Sequence, residues 1–225
     1  MPPKKANRVT KSKSTKNKKP LVSKSTHTSN SNSGSNMPVS TQVSTSASVS
    51  ANANATSLDN EPVYFWRPFE ENGYLGQWYE SEWEHEGCKY VTAEMWMMVQ
   101  KAKLFGDEEC AQRMLATTDP KRHKALGREV RNFNDKTWNL HRTRIVEEGT
   151  YHKFTKSKNA IQLRQWLLET RDRELVETSP RDRIWGVGFG KANAGKNRHR
   201  WGQNLLGKAL MSVRERLRGE QKEDK

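Results

Sequence analysis

The sequence predicts a mainly α-helical protein: an irregular helical bundle in a single domain, with a small β-hairpin element, behind a disordered N-terminal tail. Three observations carry that expectation. Helix-length segments bounded by capping residues follow one another from residue 92 onward. All eight Trp, five Tyr and six Phe fall in residues 61–225. Residues 1–60 hold no aromatic, twenty-one Ser or Thr, and nine Lys or Arg against one acid, Asp59. One-signed charge without apolar surface cannot offset the entropy of ordering a backbone, so 1–60 reads as tail. The domain is placed at 61–219, long enough for one core, with a flexible end at 220–225.

Each element has a local cause. Val63–Trp66 is a short apolar run, and Trp83 to Val91 alternates about Glu86-Gly87, a hairpin signal. Thr92 caps a helix that Gly106 stops, and its sequence AEMWMMVQKAKLF is apolar nearly all round, as a buried central helix requires. Asp107 caps a second helix. Asp119-Pro120 opens a third, with Pro at the first helical position and Gly127 read as its end. Asp135 caps a fourth, expected to finish before Gly149, and Asn159 a fifth, AIQLRQWLLE. The last, at about 203–218, carries Leu206, Leu210, Val213 and Leu217 along one stripe.

Composition excludes several classes. No stretch reaches the roughly 18 apolar residues of a membrane span. The N-terminus has no apolar run behind its lysines, unlike a secretory signal. It is basic and Ser-rich like a mitochondrial presequence, but has one Arg, two early prolines and almost no Leu. Cys88 and Cys110 make neither a disulfide framework nor a CxxC pair, which suits a reducing compartment, cytoplasm or nucleus. The run KKANRVTKSKSTKNKKP, within a chain of net charge +14, has the chemistry of a nuclear localisation signal or a nucleic-acid tether, and equally of a solvated leader.

Two places can carry chemistry. Glu94 and Lys101 lie seven apart on one face of the central helix; either they reach its wet edges, or they line a pocket as acid/base carboxylate and lysine. The segment SPRDRIWGVGFGKANAGKNRHRWGQNLLG joins Asp182 and Trp185 to glycines that permit close backbone approach, Gly186 among them, and to cations that hold phosphates. Within it Lys191, Lys196, Arg198 and Arg200 accompany no acid, so this loop either clamps a phosphate or faces bulk water. Its GxxxxGK match is a decoy, because Asn197 replaces the Mg²⁺-binding hydroxyl. Trp138 sits in the first turn of its helix, a position commoner in cores than in ligand platforms. His85 and Cys88 are half a metal site with no second half, and no cofactor motif is present.

YLGQWYESEW, YVTAEMWMMVQKAKLFGD, DPKRHKALGREVRNF, DKTWNLHR, YHKFTKSKNAIQLRQWLLET, LVETSPRDRIWGVG and WGQNLLGKALMSVR follow in order. Together they resemble the YbiA-like, or NADAR (NAD- and ADP-ribose-associated), family over about residues 63–216. The resemblance implies a mainly α-helical fold and an N-glycosidase. Its implied targets are ribose C1′–N bonds in phosphoribosyl amino-pyrimidines of riboflavin synthesis or in ADP-ribosylated guanine. It implies catalytic roles for Glu94, Asp182 and Lys101, the lysine as phosphate clamp or Schiff-base former. Substrate contacts fall to Trp138, Trp185, Gly186, Gln77, Asn204, Lys196 and Arg198. Gln77 stands where the family commonly has Asn, and Met95 where many members have His. Binding of an ADP-ribose-like nucleotide without cleavage, and hydrolysis directed to nucleic acid through the tail, are the rival functions. No membrane partner is implied.

Overall fold

In a computed structural model the protein is described over residues 61–223; the tail expected at 1–60 lies outside that range. Thr92 Oγ1 accepts from Met95 N and starts α1 (Ala93–Leu104), which Gly106 ends at a positive φ of 69°. Asp107 caps α2 (Glu108–Leu115) through Cys110 N. Asp119 and Pro120 open α3 (Pro120–Glu129). Then come α4 (Asp135–Thr155), α5 (Ala160–Glu169), the short α6 (Lys191–Ala194) and α7 (Leu205–Glu223). Central α1 packs against α2, α3 and α4, while α7 packs against α4, α5 and a strand, β4 (Leu175–Glu177). The stripe Leu206, Leu210, Val213 and Leu217 is buried along α7.

Strands are few. A hairpin pairs β2 (Trp83–His85) with β3 (Cys88–Tyr90) around Glu86 and Gly87, both at positive φ as a primed turn requires. β1 (Val63–Phe65) pairs in parallel with β4, in the register Val63↔Leu175 and Phe65↔Glu177. The sequence signals do not anticipate β4.

Four boundaries differ from expectation, two of them for one reason. α3 continues through Gly127 and α4 through Gly149, because neither glycine is a stop. A Cβ at Gly127 would stand 2.2 Å from the Met98 sulfur, and one at Gly149 would stand 2.3 Å from Trp96 Cδ1. Both glycines admit a side chain of α1 against a neighbouring helix. The cap of α4 is Asn134, whose Oδ1 accepts from Thr137 N, rather than Asp135. Finally, α7 runs on to Glu223, past the helix end expected at about 218.

Candidate active site

A cavity of about 680 Å³ opens between α1, α3 and the segments flanking β1 and β4. Trp66, Trp78, Trp185, Phe69 and Ile184 give it apolar walls, and Arg67, Lys101, Lys124 and Arg128 give it cations. Three carboxyls face the same space: Glu94, Glu177 and Asp182.

Glu94 stands in the first turn of α1 and is 6% exposed. Burial pushes its pKa up to about 7, and the Asp182 charge adds to the rise, while Lys124 and a hydrogen bond from the Trp78 side chain pull it back. Its backbone N–H donates to Gln77 O at 3.1 Å. Asp182 is oriented by the chain itself, since one carboxylate oxygen accepts from the backbone N–H groups of Ile184 (2.9 Å) and Trp185 (2.8 Å). The same turn sets Trp185 beside it.

Glu177 was not legible as a site residue, and it is the most perturbed of the three. Burial lifts its pKa to about 8, with Asp182 and Glu94 adding to the rise and Lys124 opposing it. Its Oε2 is buried without a hydrogen-bond partner among the described residues. Its signal was its place in LVETSPRDRIWGVG, the motif that also carries Asp182.

Gly186 and Asn204, expected to touch substrate, stand against β4 and Glu177. The cavity wall includes neither. Asn204 Oδ1 accepts from Glu177 N at 3.1 Å, and its Nδ2 donates to Leu175 O at 2.9 Å, so both ends of the amide are spent on β4. The left-handed φ of 49° at Asn204 aims the amide there. A Cβ at Gly186 would lie 2.6 Å from Glu177 Oε2.

Gln77, Lys101 and Trp185 do line the cavity. The Lys101 ammonium donates to Gly127 O at 2.6 Å and sits 4.1 Å from the centre of the Phe133 ring. Partial burial depresses its pKa. Trp138 lies off the wall, its ring 5.7 Å from Lys101 Nζ and its body against the core. Lys196 and Arg198 also lie off the wall. Residues 191–200 are a short helix followed by a 3-10 turn, and two of their cations pair with acids. Lys191 pairs with Glu71 at 3.0 Å, and Arg198 with Glu174 at 2.5 Å while also covering the Trp201 ring.

Comparison with known proteins adds three findings. The sequence model of the NADAR domain matches residues 64–218. An N-glycosidase of Acanthamoeba polyphaga mimivirus is 42% identical over 132 residues, 58% of this chain and 76% of the relative; an N-glycosidase of Nostoc punctiforme is 31% identical over 156 residues, 69% of this chain and 92% of the relative. The NMR structure of the Escherichia coli protein YbiA superposes with a TM-score of 0.57 at 25% identity, covering 72% of this chain and 88% of that one.

Proposed function

The chain belongs to the NADAR family, and from that premise we propose that its cavity hydrolyses the C1′–N bond of a phosphate-bearing ribosyl amine. N-glycosidase is the activity class its relatives share. The observation that carries the finer reading is the clustering of Glu94, Glu177 and Asp182 in one cavity, two of them with raised pKa. A site that merely held a nucleotide would gain nothing from burying acids near phosphates.

The roles follow from the environments. As the C1′–N bond breaks, its electron pair leaves with the nitrogen and positive charge builds on the ribose ring. Carboxylate charge at Asp182 stabilises that ring. Glu177, protonated at neutral pH, gives its proton to the departing nitrogen. Glu94, poised near neutrality, takes a proton from the water whose oxygen bonds to C1′. Glu177 ends ionised and Glu94 protonated, and exchange with solvent resets both. Arg67, Lys124 and Arg128 hold the phosphate, and the tryptophans flank the base.

Lys101 keeps two roles, phosphate contact or attack on an opened ribose aldehyde, and its depressed pKa supports the second. The decisive experiment incubates the protein with phosphoribosyl amino-pyrimidine and, separately, with ADP-ribosyl guanine, reading released base by chromatography. Release from either, abolished by Glu94→Gln, is expected. Wild-type release by Glu94→Gln, or release from neither, overturns the proposal.

A further inference from the structure

Lys153, near the end of α4, is 1% exposed and lies outside the cavity wall. Its ammonium donates to Gly76 O at 2.8 Å and stands over the rings of Tyr79 (5.3 Å) and Phe154 (5.5 Å). Burying an amine this completely is expensive, and a methionine would fill the same volume without that penalty. Burial alone drives its pKa down to about 7.

What the amine touches gives the reason. Gly76 begins the segment Gly76-Gln77-Trp78, which lines the cavity and meets Glu94 twice. Gln77 O receives the Glu94 backbone N–H at 3.1 Å, and the Trp78 side chain, on the same cavity wall, favours the ionised Glu94 carboxyl. Little room remains for this segment to shift inward, since a Cβ at Gly76 would already stand 3.1 Å from Trp66 O. We infer that Lys153 is a positioning residue for Glu94: its clasp on the Gly76 carbonyl keeps Gln77 and Trp78 in register with the carboxylate. The inference rests on the proposed role of Glu94 in hydrolysis. It predicts that loosening the clasp lets Gln77 and Trp78 drift from the carboxyl, so that the influence favouring its ionised form weakens. Glu94 then becomes harder to ionise.

The test compares wild type, Lys153→Met, Trp78→Phe and the double variant, with ¹³C-labelled glutamate reporting each titration by NMR and Glu94→Gln identifying the Glu94 signal. Lys153→Met is expected to raise the Glu94 pKa, move the acidic limb of kcat/KM to higher pH, and lower kcat roughly tenfold to a hundredfold with little change in KM. The double variant is expected to be little worse than Trp78→Phe, because both act through one link. If Met at 153 prevents folding, Lys153→Gln, which keeps an N–H donor but sheds the charge, takes its place with a smaller shift in the same direction. An unmoved Glu94 titration in a folded variant overturns the inference, as does full additivity. Failure of the underlying reading looks different: Glu94→Gln would keep turnover whatever Lys153 does.

Discussion

The carboxyl-lined cavity and the basic segment 191–200 both gather charged side chains, and they are built oppositely. In the segment, Lys191 reaches exposed Glu71 and Arg198 reaches half-buried Glu174, and solvent screens the pairs. In the cavity, Glu94 and Glu177 are held where ionisation is costly, and one oxygen of Glu177 has no partner among the described residues. Clustered charge is cheap at a surface and needs no function. An ionisable group kept in a cleft where ionisation is costly is a candidate for chemistry.

Replacing acids with amides is the sharpest way to break that contrast. Glu94→Gln and Glu177→Gln should each lower kcat by about 10²–10⁴ while the fold survives, measured by base release and circular dichroism. Next in size comes Gly186→Ala, whose new Cβ displaces the Glu177 carboxyl; kcat should fall roughly tenfold or more, with a drop in Tm from the crowding.

Stability should move the other way for Glu177→Gln. The folded pKa of Glu177, about 8, lies above the unfolded value near 4.3, so the native state binds more protons between them and wild-type stability declines as pH rises through that window. The amide variant should therefore melt higher than wild type at pH 8, and the advantage should vanish by about pH 4. A constant Tm difference across that range would contradict the burial of Glu177. The smallest effect belongs to the basic segment: Lys196→Glu with Arg198→Glu should change KM by less than about twofold and stability by less than about 1 kcal/mol. A KM that rises steeply at low salt would return this segment to the substrate path.

Legibility followed the range of the interactions. Thr92, Gly106, Asp107 and Asp119-Pro120 act on their own turns, so their helices could be bounded from the sequence. Gly127 and Gly149 could not be read, because a glycine that ends a helix and one that admits a neighbour's side chain are the same letter. Glu94, Lys101, Gln77, Asp182 and Trp185 stood in recognisable motifs and do meet in the cavity. Glu177 escaped notice because its burial depends on β1, on Asn204 and on Gly186, none of them adjacent in the chain.

The parallel pairing of β1 with β4 also bears on the order of folding. The hairpin and the contacts among α1, α2 and α3 join residues close in sequence, whereas Val63 must find Leu175. Closing so long a loop loses more chain entropy than any local step, so the ladder that sets Glu177 opposite Phe65 should close late. Its three-residue strands have little with which to hold it, so local opening should begin there. In native-state hydrogen exchange the Val63 and Thr178 amides, donors to Glu174 and Phe65, should exchange before those in the middle of α1. An occupied cavity would slow them, because a ligand bound across Trp66 and Glu177 ties together the two strands that meet last.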